Sequence, residues 1–151
     1  MDRKLKISKR FTPCPIDDEE EIYRRGIFEF NISKMTEYIH NTPEITVAPV
    51  HIRQFSIGSS KVNETHLPTV NISKPIIVAE LSPGRYDVID GNHRLEKARR
   101  AGLDYIQGYR LEPKQHIQFL TTEQGYRAYI EYWNGKLKDA GQRVQQRIAD
   151  S

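Results

Sequence analysis

The chain has 151 residues, of which 37% are hydrophobic and 28% charged, and these fractions predict one soluble folded domain with one main core. The formal net charge of +3 is too small to indicate nucleic-acid binding by itself. Cys14 is the only cysteine, which excludes an intramolecular disulfide and a cysteine-built metal site.

Both ends of the chain are polar, and this bears on the cellular compartment in which we expect the protein. The first four residues are charged apart from Met1, and no apolar run follows them, so we expect no signal peptide. No segment approaches the ~20 apolar residues that a membrane span requires. Together with a single cysteine, which is typical of a reducing compartment, these features predict a cytoplasmic protein without a membrane partner.

Residues 1–44 are predicted to be an N-terminal extension packed on the core. Residues 4–8 fit a short strand. The acidic run 17–21 fits a short helix ended by Gly26, because arginines follow two of its acids at a spacing of four, although a solvated acidic surface is the more common explanation of such a run. Ser33 is then expected to cap a second short helix, which ends near residues 41–43 and turns three apolar side chains inward: Met35, Tyr38 and Ile39.

Residues 45–120 are predicted to form the main α+β domain. Pro49 interrupts the first apolar run, residues 45–55, and therefore favours a strand at a sheet edge. The polar, glycine-containing stretch 56–65 fits a loop or a lid. Residues 75–81 are apolar apart from Glu80 and predict a strand buried on both faces.

A second strand, a helix and a third strand complete this predicted domain. The turn 82–85 precedes a return strand over 86–90, a helix over 92–101 ended by Gly102, and a strand over 105–111. Since a helix between two strands favours a right-handed crossover, we expect the two strands that flank it to pair in parallel. The hairpin adds an antiparallel partner, so the sheet should be small and mixed.

The tail, residues 121–151, is predicted to be helical. Thr121 and Gln124 match a capping box, and Gly135 is a possible break. An apolar stripe at helical spacing is more simply a core-facing surface than a platform for stacking bases. The stripe consists of Tyr126, Tyr129, Ile130, Trp133 and Leu137.

The strongest candidate site is the junction between the return strand and the helix, Asp90-Gly91-Asn92-His93-Arg94. A helix N-terminus exposes unpaired N–H groups and the positive end of the helix dipole, which suit a phosphate. Glycine permits a tight turn, and Asn, His and Arg add further donors. The structural alternative is that Asn92 caps the helix, His93 is exposed and Arg94 pairs with Asp90 or with Glu96.

The wider pattern of strand, turn, strand, Asp90-Gly-Asn-His-Arg-Leu, Ala98-Arg-Arg-Ala-Gly102 and strand resembles the ParB/sulfiredoxin superfamily, most closely over residues 75–109. In that superfamily the equivalent turn is a cradle for nucleotide phosphates. The resemblance implies that Gly91, Asn92, His93 and Arg94 hold phosphates of ATP or CTP. Asp90 matches the aspartate that precedes Gly-His-His-Arg in the superfamily's free-serine kinases.

The departures from the superfamily pattern narrow the expected reaction. Sulfiredoxins carry their reactive cysteine where this chain has Asn92, so sulfiredoxin activity is not expected. ParB partition proteins have Gly-Glu-Arg-Arg at the turn, where His93 replaces an arginine, and they continue into a DNA-binding domain for which this chain leaves little room. The serine kinases place an acidic residue soon after the first core strand; residues 53–56 contain none, and only Glu44 and Glu64 flank that region.

These observations predict a nucleotide-phosphate-binding protein that hydrolyses a nucleoside triphosphate or transfers its phosphoryl group. Asp90 would hold Mg²⁺ or orient the acceptor, and His93 would bind the γ-phosphate or pass a proton. The alternative is a non-catalytic nucleotide-sensing or DNA-associated accessory module, with a nuclease as a variant of the enzyme. Four further residues are weaker candidates for this site, as metal ligands or phosphate contacts: His51, His66, Lys61 and Lys74.

Overall fold

The structure is a computed structural model that describes residues 2–55 and 62–150, and in these residues it is an α+β fold, as predicted, with two sheets and four helices. The elements in chain order are β1 (Ile22–Arg25), β2 (Phe28–Asn31), α1 (Ile32–His40), β3 (Ala48–His51), β4 (Ile76–Ser82), β5 (Arg85–Asp90), α2 (Asn92–Arg100), β6 (Tyr105–Leu111), α3 (Pro113–His116) and α4 (Glu123–Asp150).

The main sheet has the strand order β3-β6-β4-β5. Strand β4 pairs antiparallel with β5 and parallel with β6, and Pro49 lies on the edge strand β3, as predicted. The predicted parallel pairing of the two strands that flank α2 is wrong, because β6 pairs with β4 instead. This arrangement keeps β4, whose first six residues are all buried, between two partners.

The sheet separates two apolar layers, and the side chains of β4 alternate between them. Ile76 and Val78 pack with Leu95 and Ala98 of α2. The intervening side chains of β4 pack on the other face against the N-terminal segment, α1 and α4. Strand β4 is therefore buried on both faces, as its run of mostly apolar residues predicts.

Helix α4 begins after Thr122, whose Oγ1 accepts a hydrogen bond from the N–H of Gly125 at 2.9 Å. The cap is thus one residue later than predicted. The helix continues through Gly135 without a break, because an exposed glycine only weakens a helix that packing already holds. Trp133 is fully buried, and the apolar stripe lies in the core as predicted as far as Trp133, whereas Leu137 is half-buried and lies outside the core cluster.

The N-terminal segment lies along α4 and is not a strand over residues 4–8. The side-chain amide of Asn134 binds both backbone groups of Leu5, with each distance 2.9 Å, and the indole of Trp133 donates to the carbonyl of Arg3. Side chains of α4 therefore make the hydrogen bonds to these backbone groups that a neighbouring strand would otherwise make, and this is why the predicted strand is absent.

The predicted helix ending at Gly26 is also wrong, since this region forms the β1–β2 hairpin. Gly26 has φ +60° and lies in the tight turn between the two strands. Arg24 pairs across the hairpin with Glu29, and Glu20 pairs with Lys34. Helix α1 that follows is capped by Asn31 and not by Ser33, because the Asn31 side chain accepts from the N–H of Lys34.

No helix in the described part of the chain is both long and apolar enough to cross a membrane.

Candidate functional site at the start of helix α2

Helix α2 starts immediately after Gly91, which adopts φ +103° and offers no side chain to cap the helix. A Cβ at this position would lie 2.5 Å from Cγ2 of Ile76, so the turn has room only for glycine. Asn92 is the first helical residue, so it is not the cap that the structural alternative makes it. The N–H groups of the first turn therefore have no capping side chain.

Arg94 and Asp90 bind each other across this turn. The guanidinium Nη2 lies 3.2 Å from Oδ2 of Asp90 and donates to the carbonyl of Pro75 at 3.1 Å. Both side chains are largely buried, and Nε of Arg94 is buried without a hydrogen-bond partner among the described residues. This pairing is the arrangement that the structural alternative predicts for Arg94.

His93 has its partners in the segment between β3 and β4. Its Nε2 accepts a hydrogen bond from the N–H of Asn63 at 3.0 Å. Its ring meets the ring of His66 edge to face, with centroids 5.2 Å apart. Asp90 and His93, the two predicted catalytic residues, thus have separate partners.

Asn92 lines a cleft of about 760 Å³ that the sequence did not indicate. The cleft lies between the β1–β2 hairpin, the start of β5 and the first turn of α2. Its wall is rich in arginine and tyrosine and consists of Tyr23, Arg24, Arg25, Gln54, Phe55, Gly84, Arg85, Tyr86, Asp87, Val88 and Asn92. The contribution of the hairpin is what sequence reasoning missed, since Arg25 and Asp87 are brought together across 62 positions.

The cationic side chains of the cleft differ in whether a carboxylate neutralises their charge. Arg24 is paired with Glu29, and Arg25 is paired with Asp87. Arg85 is exposed and takes part in no ion pair within residues 2–55 and 62–150. The cleft therefore presents an available guanidinium close to the start of a helix.

The aromatic wall of the cleft is uncharged at neutral pH. Burial raises the pKa of the phenol of Tyr23, and burial likewise raises the pKa of Tyr86. Both rings thus present neutral surfaces next to the arginines.

The remaining candidate residues lie elsewhere or have other partners. Glu64 binds Arg100 through both carboxylate oxygens, at 2.7 and 2.8 Å, so it does not enter the site as the sequence allowed. Glu44 lines a separate depression beside Arg110. His51 accepts from the N–H of Arg53 and packs on Tyr105.

Of the two candidate lysines, only Lys74 lies within the described residues, and it does not line the cleft. Lys74 is exposed. Lys61 and most of the predicted loop or lid, residues 56–61, lie outside the described residues.

The residues at the turn supply one carboxylate for a metal ion. Within the described residues no group of three or more His, Cys, Asp or Glu side chains could hold a metal. Mg²⁺ commonly uses one or two carboxylates together with substrate phosphates, so Asp90 fits such a role only with a nucleotide present and only when released from Arg94.

Comparisons with protein-family models, with curated proteins and with solved structures found no match for this chain. The resemblance to the ParB/sulfiredoxin superfamily therefore stays a prediction.

Proposed function

We propose that this protein binds a nucleotide, with the phosphates at the first turn of α2 and the remainder in the adjoining cleft. The observation that carries the proposal is that Asn92, the first residue of an uncapped helix, lines a cleft together with three arginines. The first residue of the helix and three guanidinium side chains thus line one space, and a helix N-terminus, a side-chain amide and a guanidinium group each favour an anion.

The size and lining of the cleft suit a ligand of nucleotide size. Small-molecule sites occupy roughly 300–1,000 Å³, and about 760 Å³ lies within that range. The neutral rings of Tyr23 and Tyr86 offer flat surfaces to a base, while Arg85 is available to a phosphate. ATP and CTP are the nucleotides that the superfamily resemblance favours, Mg²⁺ would accompany their phosphates, and the cytoplasm is the compartment proposed.

Turnover of the nucleotide is a separate question, and the geometry favours binding alone. The carboxylate of Asp90 is engaged by Arg94, and Nε2 of His93 already accepts a hydrogen bond. Hydrolysis or phosphoryl transfer would require at least one of them to change partner. A non-catalytic nucleotide-sensing module is therefore the form of this function that the geometry favours, and an enzyme that hydrolyses the nucleotide or transfers its phosphoryl group is the second candidate. Whether phosphate is released or transferred distinguishes the two.

Calorimetric titration with ATP and with CTP, each with and without Mg²⁺, tests the proposal on wild type and on Asn92→Asp. The substitution keeps the side-chain size and adds a negative charge to the cleft, while an acidic residue in the first turn is compatible with the helix dipole. We expect at least about tenfold weaker binding, since a like charge next to a phosphate costs on the order of 1.4 kcal/mol or more.

Asn71→Asp is the matched control, because Asn71 is exposed and lies outside the cleft lining. Equal affinity of Asn92→Asp and wild type, or no binding of either nucleotide by wild type, contradicts the proposal. Phosphate release measured on the nucleotide-bound protein then separates the enzyme from the sensing module.

A further inference from the structure

A second, smaller depression lies between the β4–β5 turn and helix α4, and it is strongly basic. It encloses about 150 Å³. Three of its seven lining residues are cations and none is acidic: Ser82, Pro83, Arg85, Tyr132, Lys136, Ala140 and Arg143. A depression with this lining attracts anions, and its volume suits a single phosphate better than a whole nucleotide.

The cations of this depression are available for a ligand. Arg85, Lys136 and Arg143 take part in no ion pair within the described part of the chain. The ammonium of Lys136 lies over the ring of Tyr132, 5.6 Å from its centroid, and this contact positions the charge without neutralising it.

Arg85 lines both the depression and the proposed nucleotide cleft. The two spaces are therefore neighbours on either side of one side chain. Through Arg85, the depression with Arg143, Lys136 and Tyr132 adjoins the cleft, which is lined by Tyr86 and by the arginines of the hairpin. Alternating cations and aromatic rings are the pattern that binds single-stranded nucleic acid, because cations follow the phosphates while rings stack with bases.

We propose that the ligand of this surface is a single-stranded oligonucleotide, with one nucleotide in the cleft and the phosphate of its neighbour in the depression. The inference deepens the proposed function and rests on it for the cleft half of the surface. An acidic peptide is the competing ligand, and the tyrosine-lined cleft favours the oligonucleotide because a peptide carboxylate brings no base to stack on those rings.

The test measures the fluorescence anisotropy of a short labelled oligodeoxythymidylate over a series of salt concentrations, and ATP and CTP affinities in parallel. We expect Lys136→Glu and Arg143→Glu to weaken oligonucleotide binding about tenfold or more, and to weaken it by a larger factor than mononucleotide binding. Lys138→Glu is the matched control, since it makes the same charge change on the same helix outside the depression and should leave both affinities unchanged.

Each outcome separates the alternatives. An equal loss of oligonucleotide affinity in Lys138→Glu and in Lys136→Glu overturns the inference, because the loss then reflects the net charge of the protein and not the depression. Displacement of the oligonucleotide by polyglutamate as readily as by unlabelled oligonucleotide overturns it in favour of an acidic peptide.

The remaining two outcomes distinguish this inference from the proposed function. Binding of ATP or CTP without any oligonucleotide binding refutes the strand inference alone. The wild type could instead bind the oligonucleotide but neither ATP nor CTP, while Lys136→Glu still weakens oligonucleotide binding. That result refutes the proposed mononucleotide function and supports the assignment of the depression to a phosphate of the strand.

Discussion

Single residues at the turn before α2 set the geometry of the proposed site. Gly91 allows the chain to pass from β5 into α2 directly against Ile76, and the missing Cβ leaves the helix start open. The presence of a turn and a helix at this point could be predicted, because a glycine after an apolar strand and before a helical pattern indicates both. The partners of Arg94 and His93 could not be ranked from sequence, because Pro75 and Asn63 reach them from distant positions.

Replacing Gly91 with alanine should destabilise the fold strongly. The alanine would have to adopt a left-handed backbone conformation, and its Cβ would collide with the packed Ile76 side chain. The two effects together cost about 3 kcal/mol. Gly84→Ala is the control, because Gly84 also has a positive φ but nothing lies within 4 Å of its added Cβ. Its expected cost is about 1 kcal/mol. Urea unfolding measures both, and equal losses would mean that contact with Ile76 adds nothing.

Secondary-structure elements were predictable where local signals agree. Strands β4, β5 and β6 and helix α2 lie within a residue or so of the predicted bounds, since apolar runs, Gly84 and Gly102 all indicate the same boundaries. The prediction of a helix before Gly26 is wrong because its signals are ambiguous. Gly26 suits both a helix end and a hairpin turn, and the spacing of four between acids and arginines, which suits a helix, does not exclude a hairpin. The partner of β6 was wrong because hydrophobic periodicity carries no information on strand direction.

Helix α4 offers a test of how packing overrides a weak helix former. Gly135 lies two residues after the buried Trp133, and nothing lies within 4 Å of an added Cβ, so Gly135→Ala should raise the free energy of unfolding by about 0.5–1 kcal/mol. Gly141→Ala is the comparison, in the exposed segment 141–150, where the helix can fray without global unfolding. It should raise helical circular dichroism with less gain in unfolding free energy, and equal gains would show that this segment unfolds with the core.

At the scale of the whole molecule, the N-terminal segment joins α4 to the main sheet through one buried carboxylate. Glu80 lies on β4, and its two oxygens accept from the guanidinium of Arg3 at 2.6 and 2.8 Å. The N–H of Gly84 also donates to it at 2.9 Å, and Arg3 in turn lies over the ring of Trp133. Burial alone would raise the pKa of Glu80, but these hydrogen bonds outweigh it and leave the pKa below its usual value.

The contact between Arg3 and Glu80 should therefore make stability depend on pH in a predictable direction. A carboxyl whose folded pKa is depressed stabilises the fold above its unfolded pKa, and this contribution is lost as the pH falls through the folded value. Arg3→Ala should cost about 2 kcal/mol at neutral pH, less than for a fully buried pair because the Arg3 side chain is 40% exposed. The loss should shrink on acidification, since protonation removes the unpaired buried charge.

Glu80→Gln provides the matched background for this measurement. A neutral amide of the same size retains the hydrogen bond with Gly84 but removes the charge, so Arg3→Ala should cost less than about 1 kcal/mol there. Urea unfolding of the four proteins across the acid range isolates the coupling free energy between Arg3 and Glu80 from the titration of the neighbouring His116. Burial lowers the pKa of His116 to about 4. A loss for Arg3→Ala that is the same in both backgrounds and at every pH would show that Arg3 stabilises the fold through Trp133 and not through Glu80.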